Sequence, residues 1–98
     1  RDFIYIDDVV RAFVLAGFIE KKMGGKTYNI SSGQMTSLVK IVNAIKKHAK
    51  RVNVEFIPIA EDSISYCCDA GKFKRDYGWK PMTSLSKGIM QSLKYFGR

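Results

Sequence analysis

The sequence is poor in the residues that staple or punctuate a small fold: two cysteines, two prolines and one histidine in 98 residues. The cysteines, Cys67 and Cys68, are adjacent, and neighbours in sequence rarely meet disulfide geometry. With a single His they also fall short of a four-ligand zinc site. They read as small, partly buried residues of a reducing compartment, which suits a cytoplasmic chain. No apolar run approaches the roughly 20 residues that cross a bilayer, so no membrane partner is expected. Neither an initiator Met nor an apolar leader stands before Arg1, and the chain reads as a piece of something longer. Carboxylates are scarce as well, 9 Asp and Glu against 17 Lys and Arg, a net charge of +8. That balance attracts anions, nucleic acid and phosphorylated ligands among them. On a lysine-bearing helix face it is also the ordinary dress of a solvated surface.

What is present reads as α/β, over residues 1–98 as a single domain. Residues 3–6 (Phe-Ile-Tyr-Ile), 27–30 (Thr-Tyr-Asn-Ile) and 52–56 (Val-Asn-Val-Glu-Phe) carry the β-branched, aromatic or alternating character of strands. Between them lie helical patterns. One runs over 9–22, with Asp7 or Asp8 as its cap, and is apolar nearly all round, which predicts burial on more than one side. In so short a chain little is available to bury it. Either a missing partner structure or self-association through this helix is therefore expected. A second helix follows Thr36 or Ser37, with Leu38, Ile41, Val42 and Ile45 in a 3.6-residue stripe and Lys40, Lys46 and Lys47 opposite. A short helix after Asp69 ends at Gly78. Ser84 caps the last helix, with Leu85, Ile89, Leu93 and Phe96 on its inner face. The expected order is β-α-β-α-β-α-α.

Three segments, in series, carry a resemblance. Arg1-Asp2-Phe3-Ile4-Tyr5-Ile6-Asp7-Asp8-Val9 looks like an "RDF-hydrophobic-Y/H-V-x-D" strand-to-helix signature. Thr27-Tyr28-Asn29-Ile30-Ser31-Ser32-Gly33 is similar to a "YN-I/L-G-x-G" strand and loop. Asp69-Ala70-Gly71-Lys72, with Tyr77-Gly78-Trp79-Lys80-Pro81, Ser84-Leu85 and Gly88-Ile89, resembles a "D-x-S-K…LGW-x-P" helix, turn and final helix. Together they resemble the carboxy-terminal part of nucleotide-sugar epimerases and dehydratases of the extended short-chain dehydrogenase/reductase family, whose amino-terminal half is a Rossmann-type sheet that binds NAD.

The resemblance implies a substrate-side role for this chain in binding a nucleotide-diphosphate sugar. It puts Arg1 where the family grips the diphosphate, with the bidentate fork that suits phosphate. It puts Phe3 at the nucleotide pocket, and Leu38 and Tyr66 at further pocket-lining positions. It implies no catalytic residue. The family's base is a Tyr with a Lys four residues on, whereas Val9, Ser32, Ala70 and Pro81 stand four after Tyr5, Tyr28, Tyr66 and Tyr77. Nor do Gly24, Gly25 and Gly33 have the spacing of a dinucleotide-binding turn. NAD is thus expected in the parent enzyme and no cofactor or metal in this chain alone. A second family Arg, in a "P-x-R-x-G-D"-like loop, has no counterpart in Pro58-Ile59-Ala60-Glu61-Asp62. The alternative reading is a non-catalytic basic module for nucleic acid or another polyanion. It is weakened because the aromatics fall at core spacings and are not interleaved with the basic residues.

Overall fold

The computed structural model describes residues 1–18, 25–49, 51–58 and 67–97. Among these lie four helices: α1 (Ile6–Phe18), α2 (Leu38–His48), α3 (Gly71–Tyr77) and α4 (Leu85–Tyr95). Local chemistry explains their ends. Ser37 Oγ accepts from Lys40 N–H at 3.2 Å and Ser84 Oγ from Lys87 N–H at 3.2 Å. Each hydroxyl thereby satisfies one of the orphan donors of a first turn. Gly78 closes α3 at φ 67°, a left-handed conformation that costs a side-chain-bearing residue about 1 kcal/mol or more. Asp69 sits one residue outside the cap position of α3, which is Ala70, and accepts from Gly71 N–H at 2.8 Å.

The strands are a correction. Among the described residues none of the three β-patterned segments forms a ladder, and the single pairing is an isolated antiparallel bridge between Asp2 and Met35. Residues 27–30 and 52–56 make no backbone–backbone hydrogen bond with any described residue. A helix satisfies its own N–H and C=O groups, but a strand needs a neighbour, and the described residues supply none beyond the one bridge. At the third segment, 3–6, the helix intrudes. Asp8 and Val9 N–H both donate to the Tyr5 carbonyl, so α1 starts at Ile6 and not at Val9. The far end of the expected helix, residues 19–22, lies outside the described residues.

The buried apolar core is small: Ala12 of α1, Phe73 and Tyr77 of α3, and Trp79 just beyond it, with Ile4, Leu15, Tyr28 and Ile30 packed around them. Phe73 stacks on Tyr77 at 4.7 Å between ring centroids and meets Tyr28 and Trp79 edge-on at 5.3 and 5.8 Å. The Tyr28 hydroxyl donates to Asp76 at 2.7 Å. That hydrogen bond to a carboxylate, with desolvation, pushes the phenol up to about 12, so Tyr28 stays a neutral donor at ordinary pH.

A second cluster joins the helices. α4 packs on α2, and His48 Nε2 lies 3.1 Å from Ser86 Oγ in a hydrogen bond between them. Gly88 lets α4 close on Tyr5, since a Cβ there would lie 3.1 Å from Tyr5 Cδ1. Leu85, Ile89 and Leu93 are half-buried as expected, but Phe96 is exposed, lying past the end of α4 edge-on to Tyr95. The whole is a slab of 48 × 33 × 16 Å with a radius of gyration of 16.3 Å. A compact globule of this length would have about 13 Å. The slab has the thickness of one layer, where a self-sufficient domain packs two.

Asp8 overturns its expected role. It does not cap α1. It is buried at 1% exposure and reaches across the fold to the turn between α3 and α4. Its Oδ1 accepts from Met82 N–H and Arg11 Nη1 at 3.1 and 3.0 Å, and its Oδ2 from Thr83 N–H at 3.1 Å. Its backbone carbonyl accepts the Trp79 indole N–H at 3.0 Å, while Arg11 Nη2 donates to the Lys80 carbonyl. Two residues of α1, Asp8 and Arg11, thus hold the 79–83 turn.

Candidate functional site

The antiparallel bridge brings Arg1 and Thr36 together, with Thr36 N–H donating to the Arg1 carbonyl at 2.7 Å and Arg1 N to the Thr36 carbonyl at 3.0 Å. Beside it, Asp2 gathers the 31–33 loop. Its carboxylate accepts from Ser32 N–H and Gly33 N–H at 2.9 Å each, from Ser32 Oγ, and from Cys67 Sγ at 3.5 Å. Gly33 turns here at φ 76°. Partial burial pushes the Asp2 carboxyl up, and the hydrogen bonds from Ser32, Gly33 and Cys67 outweigh that and leave it below its ordinary 3.8. A carboxyl held lower in the fold than in the unfolded chain stabilises the fold fully above the unfolded value. That contribution is lost as pH falls through the folded one. Asp2→Asn is therefore expected to destabilise the protein by about 1–2 kcal/mol at pH 7 and to flatten the acid limb of the stability curve below pH 4. Urea unfolding at pH 7 and pH 3 checks both.

These segments border a cavity of about 490 Å³. Phe3, Tyr5, Ile41, Leu85 and Ile89 give it apolar wall, and Ser32, Gln34, Thr36, Thr83 and Ser92 give it hydroxyl and amide groups. The α3–α4 turn held by Asp8 supplies Pro81, Met82 and Thr83. Among the described residues Tyr5 is the one titratable side chain of the lining, and no carboxylate, imidazole, thiol or ammonium joins it. Such a lining can bind an uncharged polar group by hydrogen bonds and apolar contact. Among the described residues it holds no paired acid and base and no activated nucleophile.

Of the residues singled out from sequence, Phe3 lines this cavity. Arg1 is exposed at its edge, tied by the bridge, and its side chain is not part of the lining. Leu38, the first residue of α2, is 67% exposed and outside the lining. Tyr66 lies outside the described residues. The polar groups of the lining were not legible. Ser84 and the 36–37 pair signal helix starts, but that Thr36, Thr83 and Ser92 converge depends on α2 packing on α4. Asp2 belongs to the first motif, yet its hold on a loop 30 residues away has no sequence signal.

The cysteines also differ from expectation. Both are free thiols and exposed, not partly buried. Desolvation and the neighbouring Asp2 carboxylate push the Cys67 thiol up, the opposite of what an attacking thiolate needs. Among the described residues no three His, Cys, Asp or Glu side chains are grouped to hold a metal ion, and no helix is long and apolar enough to cross a membrane. Lys40, Lys46 and Lys47 are exposed along α2, away from the cavity lining.

No protein-family model matches the chain. It is 31% identical over 98 residues to a UDP-glucose 4-epimerase of Mycolicibacterium smegmatis, covering 98% of this chain and 31% of that protein. It is 31% identical over 96 residues to a dTDP-4-dehydro-6-deoxyglucose reductase of Escherichia coli, covering 96% of this chain and 30% of that one. The crystal structure of the UDP-glucose 4-epimerase of Thermotoga maritima with UDP-glucose superposes on 99% of this chain with a TM-score of 0.76 and 31% identity, over 31% of its own length. The chain spans about a third of the length of the curated relatives it matches. Along nearly its whole sequence, and in fold, it is homologous to that third of the nucleotide-sugar epimerases, dehydratases and reductases of the extended short-chain dehydrogenase/reductase family.

Proposed function

We propose that this chain is the substrate-side part of an NAD-dependent sugar-nucleotide epimerase or dehydratase, binding the nucleotide-diphosphate sugar and leaving redox chemistry to other polypeptide. The observation that supports the reading is a hydroxyl-lined cavity walled by Phe3, whose lining residue Thr36 is hydrogen-bonded to the Arg1 backbone. It occurs in a chain that superposes nearly end to end on an epimerase crystallised with UDP-glucose. In this reading Arg1 holds the diphosphate, and Phe3 is pocket wall. Leu38 and Tyr66 keep only the pocket-lining positions that the resemblance implies, since Leu38 is outside the lining of this cavity.

The residues present do not fit NAD. A dinucleotide pyrophosphate needs free N–H groups at a Gly-rich turn before a helix. The 31–33 loop that leads into α2 has the Ser32 and Gly33 N–H groups already bound to the Asp2 carboxylate, which would repel a phosphate. The missing Tyr-x-x-x-Lys points the same way. NAD and the acid–base pair therefore belong to a part of the enzyme that this sequence does not contain.

The test is a titration of UDP or dTDP against the chain joined to an NAD-binding half. Arg1→Ala is expected to weaken binding by roughly 1.5–3 kcal/mol, the scale of a charge-assisted hydrogen bond. Arg1→Lys recovers only part, because an ammonium cannot fork. Replacing Lys46 and Lys47 by Ala leaves affinity nearly unchanged. Equal losses from Arg1 and the Lys pair, with duplex DNA binding as well as nucleotide and both collapsing in salt, would establish the polyanion reading instead.

A further inference from the structure

Residues 36–54 and 77–98 contain no Asp or Glu, although both stretches carry several Lys and Arg. They include α2 and α4, the helices that pack on each other. Lys40, Lys46 and Lys47 of α2 and Lys87 and Lys94 of α4 are all exposed. Lys40 and Lys47 are two turns apart, as are Lys87 and Lys94, so each pair repeats along one outer arc at a spacing of about 10 Å. The two sets come together where α2 ends and α4 begins. His48 and Ser86 are hydrogen-bonded there at 3.1 Å, and Lys47 and Lys87 are their chain neighbours.

Among the described residues none of these five lysines is in an ion pair. Lys40 and Lys87 also stand third after the cap serines Ser37 and Ser84, and neither first turn holds an acidic residue. A capping box has Glu or Gln at that position, and the positive end of the helix dipole favours an anion there. The same departure from local preference in both helices marks a face fitted to negative charge from outside the chain. Beside the lysines lie exposed apolar side chains, Val39, Met90, Tyr95 and Phe96, 43–83% exposed. Tyr95 and Phe96 meet edge-on at 5.0 Å and offer no paired stacking faces to successive bases. Basic heads among apolar and aromatic side chains suit a lipid surface, with the charge in the headgroup layer and the apolar groups at the acyl boundary. The sequence leads one to expect no membrane partner because it lacks a spanning run, but a surface contact needs none.

We infer that the α2–α4 face docks on an anionic phospholipid surface. Each lysine brought near such a surface tightens binding about 5-fold. None of the five lines the 490 Å³ cavity, so docking and the substrate-side reading use different side chains. The inference holds whether or not Arg1 grips a diphosphate.

The experiment is co-sedimentation of the chain with vesicles of phosphatidylcholine and of an equimolar phosphatidylcholine–phosphatidylglycerol mixture. Binding to the mixture is expected to be at least ~10-fold tighter and to weaken with added salt. Lys46→Ala with Lys47→Ala weakens it roughly 30-fold. Far-UV circular dichroism stays unchanged, because Ala suits a helix at an exposed position. Lys26→Ala with Lys74→Ala removes the same charge outside α2 and α4 and changes binding less than ~3-fold. Phe96→Trp reads the apolar contact, its emission moving to shorter wavelength on the mixed vesicles and not on phosphatidylcholine. Equal losses from the two lysine pairs overturn the inference, because net charge alone then suffices. Equal affinity for the two kinds of vesicle overturns it as well. So does tighter binding to duplex DNA than to the mixed vesicles at equal phosphate concentration, because a nucleic acid is then the occupant. Nucleotide affinity is not read, so failure here is distinct from failure of the sugar-nucleotide reading.

Discussion

Asp8→Ala is expected to remove about 3 kcal/mol of stability, the lower end of the range for stripping one partner from a buried charge pair. The substitution deletes the acceptor of Met82 and Thr83 N–H and of Arg11 Nη1 together. The lower end applies because Arg11 is 36% exposed and water takes over part of its solvation, whereas the two turn amides are part-buried. For a chain of this size, total stability is on the order of 5 kcal/mol, so most of it goes. The urea midpoint is expected to fall by about 2 M with little change in slope. Asp8→Asn is expected to lose nearly as much despite its similar shape. In either orientation its amide NH2 faces a group that donates: Thr83 N–H at one oxygen position, or Met82 N–H and Arg11 at the other. An Asn variant as stable as the parent would show that the turn is held by packing and not by the carboxylate.

Trp79→Ala is expected to cost about 3–5 kcal/mol, as other buried aromatic truncations do, and to leave the chain largely unfolded at room temperature. Trp79 is 1% exposed, meets Phe73 edge-on and spends its N–H on the Asp8 carbonyl. Its loss opens a cavity in a core that has only Ala12, Phe73 and Tyr77 as its other buried apolar residues among those described. Trp79→Phe separates the contributions. It keeps most of the ring contact and loses the hydrogen bond, so its cost should be nearer 1 kcal/mol plus a modest packing loss. Far-UV circular dichroism followed through a urea series reads both variants. A Trp79→Ala protein that keeps its helices and its midpoint would remove the α3–α4 turn from the list of elements that hold the fold.

The two substitutions strike the same place from opposite sides. Trp79 is visible in the sequence as part of a Gly-Trp-x-Pro turn, and its burial follows from its size. Asp8 is visible as a carboxylate at the start of a helical pattern, where local reasoning makes it a cap. Nothing within a few residues of Asp8 reports that the amides of Met82 and Thr83, more than 70 positions on, will need an acceptor. The same holds for Asp2 and the Ser32–Gly33 loop. A cap is decided within one turn of chain, whereas a carboxylate that serves a distant loop is decided only when the two are folded together.

The sequence by itself determined what local interactions determine. It placed α2 and α4 by their serine caps and 3.6-residue stripes, ended α3 at a glycine whose φ is positive, and carried, motif by motif, the likeness to nucleotide-sugar enzymes that the comparisons bear out. It also gave three segments the side chains of strands. Whether they become strands was left to tertiary structure, because a ladder's hydrogen bonds belong to two segments at once and the described part of this chain offers one isolated bridge. Tertiary structure alone also chose the lining of the cavity, keeping Phe3 and leaving Leu38 outside. Which face of a helix end looks inward depends on the neighbour it packs against, and here that neighbour is α4, half the chain away.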